Sequence, residues 1–524
     1  MNFQHTNKAI MNKILNFIIA LFFLSLTSCD KLERISNEEK GAEIYTMHCG
    51  RCHIAPDVKD LTKEYWVKAI LPEMAARMGI QDGNFKRYEG MQFEEMEIVH
   101  NSGVYPSMPI LEQEDWNLLK EYILNIAPDS LRAIVYQDSL TPQTRFKPRT
   151  FAIDETPGSY FTMLKYQKDG NKFWTGDISG KILEYKFGSE TASIIHTAQN
   201  AVVDYIEKDT VSYITDIGIL DPSELSTGKI IAAYNDSYVT LPDTLHRPVN
   251  NLVVDLNNDG IDEMVVSEFG YLTGQLSLLS QDENGTYTKK VLLSQPGAIL
   301  SVAKDMDKDG KLDIVTITSQ GDESITILYQ KDNLTFRSDK AIRFSPIYGS
   351  SWFELLDYDG DGDDDIITVN GDNADKTYIQ KPYHGLRIHL NDGNNQFTET
   401  FFFPINGATR FVADDFDQDG DIDFTVISTF PDYENNPDYS LIYLENINTS
   451  TNEFKSHSFK DANLSRWFLL DKGDIDLDGD VDIILSAFTY VFVPVPQRIT
   501  EAWGQNNADI MILENNLFDK DQVE

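Results

Sequence analysis

The sequence predicts a multidomain chain, a small all-α domain followed by an all-β seven-bladed propeller. Three observations predict it. Two thiols and an imidazole stand together at Cys49-Gly50-Arg51-Cys52-His53, with helical patterns on either side. An acidic segment, D-x-D-x-D-G-x-x-D in its fullest form, recurs five times further on. Short apolar strands recur around it, the third of each set in seven copies. At 524 residues the chain is too long for one core, so two or more domains are expected.

Composition narrows the function. A hydrophobic content of 41% is that of a globular protein. With 84 acidic against 44 basic residues, the formal charge is −40, which excludes nucleic acid as a partner because phosphate binding needs a basic surface. Such self-repulsion disfavours a compact fold unless bound cations offset it.

Residues 1–28 read as a targeting segment. Lys8 and Lys13 precede the apolar run "ILNFIIALFFLSL", too short for a membrane span and typical of a secretory signal. The ending Leu26-Thr27-Ser28-Cys29 resembles the lipobox of bacterial lipoproteins. That resemblance implies export, lipidation of Cys29 and anchoring to the outer membrane, with the periplasmic or cell-surface face left open. Residues 29–40 would be the tether, and two or more acyl chains would hold durably where one binds only marginally. The plainer alternative is an ordinary signal peptide with a chance cysteine. The other two cysteines are Cys49 and Cys52, so the haem and lipid readings together leave none for a disulfide.

Residues 41–128 form the expected helical domain. "NEEKGAEIYTMHCGRCH" carries a rough helical face of Ala42, Ile44, Tyr45 and Cys49, capped by Ser36 or Asn37. A bare C-x-x-C also fits a redox pair or half a zinc site, but the histidine directly after it and the absence of a second C-x-x-C favour a covalently attached haem. Met108-Pro109 precedes a helix expected from about Glu112 to Ile126, with Trp116, Leu119, Tyr122, Ile123 and Ile126 as its apolar stripe. This layout resembles the class I cytochromes c. The resemblance implies one haem c bonded to Cys49 and Cys52, with His53 as proximal ligand and Met108 as the sixth; Met47, Met74, Met78, Met91 and Met96 are competitors. Two axial ligands saturate the iron, so the domain would carry electrons rather than bind oxygen.

Residues 129–155, with Pro142 and Pro148, read as a partly extended connector. The propeller is expected over 156–520. Its acidic segments begin at Asp255, Asp305, Asp357, Asp415 and Asp474, at intervals of 50, 52, 58 and 59 residues. Each lies between two apolar strands, and a third strand recurs from "GKILEYK" to "DIMILENN". Short strands repeated at this period are the mark of four-stranded propeller blades. In the two early copies, Asp177 and Asp216 stand near the equivalent places.

Alternating carboxylates on a tight loop aim hard oxygens at one point, and the glycine permits the turn. That is calcium chemistry; the loops hold no thiol or imidazole, so zinc and copper are disfavoured. The pattern resembles the FG-GAP/VCBS repeats of integrin-like propellers. Carried over by position, the ligands would be Asp255, Asn257, Asp259 and Glu263; Asp305, Asp307, Asp309 and Asp313; Asp357, Asp359, Asp361 and Asp365; Asp415, Asp417, Asp419 and Asp423; and Asp474, Asp476, Asp478 and Asp482. Up to five Ca2+ would bind, most doubtfully at the first, and would staple blades rather than catalyse.

Arg247, Trp352, Arg410 and Arg466 start the strands before acidic loops, the strands expected to be innermost. They are candidates for a mouth that holds an anionic or carbohydrate ligand; pairing of each arginine within its own surroundings is the bland alternative. No catalytic residue is identified. The resulting expectation is a lipid-anchored electron carrier serving a redox partner protein, with the propeller as docking or ligand-binding module. Two alternatives stay open: a sugar or alcohol dehydrogenase that passes electrons to the cytochrome, and a surface adhesion or glycan-binding module.

Overall fold

The structure is a computed structural model that describes residues 36–518 apart from 84, 137–138, 236, 242–243, 283 and 373–377. The expected signal segment, Cys29 and the first part of the tether lie outside the described residues.

The helical segment begins at Ser36, where a capping box forms: the Ser36 hydroxyl accepts the Glu39 N–H, and the Glu39 carboxylate accepts that of Ser36. The helix Asn37–Cys49 that follows crosses a second helix, Gln113–Ile126. At the crossing sits Gly41, where an added Cβ would come within 2.6 Å of Tyr122 Cβ and 2.8 Å of the Leu118 carbonyl. Only glycine permits so close an approach. Trp116, Leu119 and Ile123, spaced three and four apart, turn inward and pack with Ile44, Tyr45, Leu61, Trp66, Leu71 and Ala75.

Seven sheets follow, six antiparallel ones of four strands and one extended to five by a parallel edge strand. In each blade the first strand is innermost. These strands are Phe161–Gln167, Val202–Lys208, Pro248–Val254, Ala298–Lys304, Ser350–Leu356, Ala408–Asp414 and Trp467–Gly473. Second strands such as Asp313–Thr318 and Asp365–Asn370 are buried at every position because neighbouring blades cover both faces. Apolar content therefore runs unbroken there, where a half-exposed strand would alternate.

The last blade is closed by an upstream strand. Phe146–Phe151 pairs antiparallel with Ile510–Asn515, from Phe146 opposite Asn515 to Phe151 opposite Ile510. Thr141–Pro142 adds in parallel to Glu453–Ser458 of blade six. The expected boundary at 156 is thus corrected: part of the supposed connector belongs to the propeller. Pro148 is tolerated because its strand is an outer edge, where a missing N–H interrupts no ladder. Phe146 is buried against Phe416, Tyr443 and Phe459.

Antiparallel order sorts the loops onto two faces. The acidic segments join first to second strands and lie on one face. The loops between second and third strands, and those between blades, lie on the other. Asp177 and Asp216 end second strands, so they are not counterparts of the acidic loops; the counterparts are the turns at Asp169 and Asp209, between first and second strands. The long insertions 429–440 and 488–509 fall on the second face, as do the described residues 371–372 and 378–384. The helical segment packs there too: Glu95 bonds Ser223, Tyr383 bonds the Asp60 carbonyl, and Leu272 and Ile347 join its apolar clusters.

Candidate functional sites on the two faces

Cys49 is the last residue of its helix, half-buried against the helical core, and burial pushes its thiol up to about 12. Cys52 is exposed, and neither thiol is in a disulfide. His53 Nδ1 lies 2.8 Å from the Ile54 carbonyl. Donation from that nitrogen leaves Nε2 as the lone-pair atom. Met108 is 75% exposed. Its loop is fixed from behind: Ile110 N donates to the Met78 carbonyl at 3.0 Å, and a Cβ on Gly79 (φ +74°) would meet the Met108 carbonyl at 2.4 Å. Of the competing methionines, Met78 is buried in the core and Met74 packs against it half-buried.

The acidic loops share one backbone form. Their sixth-position glycines, Gly260, Gly310, Gly362, Gly420 and Gly479, all have positive φ. So do the fourth-position residues Asn258, Lys308, Gly360, Gln418 and Leu477. In the second loop Asp305 accepts the N–H groups of Asp309 and Gly310 at 3.1 and 2.9 Å, which holds that turn. Oxygen atoms of three carboxylates approach within 4.8 Å of one another at Asp305, Asp307 and Asp313; at Asp357, Asp359 and Asp361; at Asp415, Asp417 and Asp419; and at Asp474, Asp476 and Asp482. In the first loop Asn257 instead donates its amide to Asp259 at 2.9 Å, Asp255 caps the turn and Glu263 lies inside the blade.

The ninth residues do more than face the loop. Asp313 accepts the Met306 and Gln330 N–H groups at 2.9 and 2.7 Å, and Asp482 accepts those of Ile475 and Asn515, both at 2.7 Å. Asp365 clamps Tyr358 and Asn391 in the same way, while Asp423 takes the Asn446 N–H and the Tyr443 hydroxyl. Each carboxylate thus ties the start or flank of its loop to the third strand. The amides that end those third strands reach further. Gln330 donates to the Leu256 carbonyl and Asn515 to that of Phe416, each in the preceding blade's loop. Sequence reasoning passed over Gln330, Asn391, Asn446 and Asn515. Their signal was the amide that closes "SITILYQ", "GLRIHLN", "YSLIYLEN" and "DIMILEN".

On the insertion face the inner strands share a feature that no motif announces. All seven carry a register shift near their start: Phe161/Met163, Val202/Asp204, Pro248/Asn250, Ala298/Leu300, Ser350/Trp352, Ala408/Arg410 and Trp467/Leu469. Bulges re-aim side chains. A cavity of about 280 Å³ lies there, lined from every blade. Trp352 and Arg410 line it, and the Arg410 guanidinium lies 4.2 Å from the Trp352 ring centroid.

The other two arginines do not join them. Arg247 donates to the Gly270 and Leu220 carbonyls, and Arg466 to those of Phe488 and Tyr490 beneath the rings of Phe492 and Trp503. Both hold loops of their own surroundings. The four-residue mouth reduces to Trp352 and Arg410.

An FG-GAP-like repeat model matches residues 305–368. No curated protein sequence matches the chain. Among solved structures, the β-propeller domain of Myceliophteria thermophila Cps50 (Swd1) is 9% identical, covers 63% of this chain and 95% of its own, and has a TM-score of 0.40. The Neurospora crassa Pan2 WD40 domain is 11% identical over 72% of this chain and 97% of its own, TM-score 0.42. Nothing about partners follows from likeness at that level. Blade order, inner bulges and the matched segment agree on a seven-bladed β-propeller that carries FG-GAP repeats.

Proposed function

We propose that the chain is a lipid-anchored c-type cytochrome for electron transfer, whose FG-GAP propeller docks a partner or binds a ligand. The observation that carries this reading is the crossing of Asn37–Cys49 with Gln113–Ile126 at Gly41, which delivers the C-x-x-C-H segment from the end of a packed helix. The residues fit a covalent haem. Cys49 and Cys52 are unpaired thiols, His53 keeps Nε2 available, and Met108 is displayed on a braced loop. Ile54, Val67 and Ile110 are apolar and exposed in the same segment, surface that a porphyrin would cover. When bound, the haem supplies one-electron exchange. This chain's part is to hold Nε2 of His53 through the Nδ1 contact and to back the sixth ligand with Gly79. Up to five acidic loops would take Ca2+, and five ions would change the charge from −40 to −30.

The test is an optical redox titration of the exported protein, repeated with candidate sugars, alcohols and quinone cofactor. A c-type difference spectrum that is lost in Cys49→Ser with Cys52→Ser is the expected result. Absence of covalent haem in protein matured with its attachment machinery would overturn the reading. Reduction by a substrate alone would replace the carrier with the dehydrogenase.

A further inference from the structure

The insertion-face cavity has features that electron transfer does not use. Its walls are mostly apolar: Met163, Leu164, Ile217, Leu220, Phe468 and Phe488, with others from every blade. Its charged lining residues are Lys165, Asp204 and Arg410. Lys165 and Asp204 neutralise each other at 2.5 Å, and Asp204 also takes the Asn250 amide and the Asn251 N–H. Among the described residues Arg410 makes no such ion pair. Its Nη1 donates to the Ser351 and Thr409 carbonyls at 2.8 and 3.1 Å, and its plane stacks on Trp352. Among the described residues no hydrogen bond reaches its Nε or Nη2. Burial lowers its pKa to about 10, Asp372 being the charge that opposes the shift. It therefore keeps its proton at neutral pH.

A guanidinium fixed on one edge and stacked on one face has its remaining N–H groups pre-oriented. Holding such a charge among apolar walls with no ion pair among the described residues, and Asp372 acting only as a nearby charge, is costly. The ring of inner-strand bulges supplies the space and aims the side chains into it.

We propose that this cavity is a binding site for a small organic carboxylate, with Arg410 Nε and Nη2 holding the carboxylate and Trp352, Met163 and Phe468 enclosing its apolar body. The site is independent of the haem, since every group in it belongs to the propeller. Two donors in one plane match a carboxylate, and the apolar walls reject bare hydrated anions. The small volume limits the ligand to a compact acid.

The test uses the full chain with benzoate as probe, benzamide as its neutral isostere and acetate as an acid without an apolar body. Binding is followed by calorimetry and by Trp352 fluorescence, Trp352→Phe identifying the signal. Saturable benzoate binding at least tenfold tighter than benzamide or acetate is expected. Arg410→Gln should lower benzoate affinity at least tenfold and leave benzamide unchanged. Should Arg410→Gln fail to fold, Val249→Phe fills the cavity from another blade and should abolish benzoate binding while the guanidinium stays in place. Equal binding of benzoate and benzamide, unaltered benzoate affinity in either variant, or no saturable binding by wild type would each overturn the proposal. Loss of covalent haem would leave these results unchanged, so the two readings fail separately.

Discussion

Glu95 of the helical segment and Ser223 of blade two, 128 positions apart, share a hydrogen bond of 2.7 Å. The same carboxylate oxygen accepts the Glu224 N–H at 3.0 Å, and the Glu224 carboxylate in turn accepts the Leu272 N–H at 2.7 Å. Burial raises the Glu95 pKa, but the bonds from Gln92, Ser223 and Glu224 outweigh it and hold the carboxyl below its usual value. Glu95 thus fastens the helices to blade two, and Glu224 links that loop to blade three.

Glu95→Ala should loosen that junction. Two buried donors lose their acceptor, at a cost of about 1–3 kcal/mol each before relaxation. Calorimetry is expected to resolve a helical transition ahead of the propeller transition. A single unshifted transition would mean that the apolar contacts at Leu272 and Ile347 suffice.

Phe146→Ala should open the ring. The ring is buried where the closing strand meets blade six, so its loss is expected to cost about 3–5 kcal/mol and lower Tm. Phe518→Ala, at a side chain 46% exposed, is the control and should leave Tm nearly unchanged.

The acidic loops allow the proposed calcium binding to be separated from clamping. If the proposed Ca2+ and haem are bound, chelation should lower the Tm of wild type sharply and leave the haem spectrum largely intact. Asp307→Asn, which removes a loop carboxylate, should weaken calcium stabilisation only. Asp313→Ala should destabilise by about 1–3 kcal/mol even with chelator present, because the Met306 and Gln330 N–H groups lose their acceptor. Equal behaviour of the two variants under chelation would remove the clamp from the account.

Glu323 gives a pH dependence with a definite sign. It is buried at the turn before the third strand of blade four, and desolvation raises its carboxyl to about 7 despite the bonds from Ser350 and Gly349. The folded pKa lies above the ordinary 4.5, so its contribution is full below pH 4.5 and is lost as pH rises to about 7. The loss is on the order of 3 kcal/mol at most. Glu323→Gln should flatten denaturation midpoints between pH 5 and 8, roughly the interval over which the wild type softens.

Much of this was legible because it is local. The D-x-D-x-D-G-x-x-D spacing dictates a turn with left-handed glycine, and each of the five segments adopts it. The alternation of apolar runs with these turns sets seven blades in order, and the spacing of Trp116, Leu119 and Ile123 sets the helix that buries them. The misreadings were not local. Phe146–Phe151 is a weak strand by itself, and only its pairing with Ile510–Asn515, from Phe146 opposite Asn515 to Phe151 opposite Ile510, makes it one. Arg247, Arg410 and Arg466 look equivalent at the starts of inner strands. Their fates differ because Arg247 and Arg466 take carbonyls of neighbouring loops, whereas Arg410 takes those of Ser351 and Thr409 on the inner strands.

The sequence by itself determined the strand order, the acidic loops and the placing of two thiols and an imidazole after a helix, since each depends on residues within a turn or two. Only the tertiary structure decided which face the helices cover, how the ring closes and that, of the three arginines, Arg410 lines the mostly apolar cavity. Those outcomes depend on contacts between residues far apart in the chain, where burial and the competition for hydrogen-bond partners choose among arrangements that local preference leaves equal.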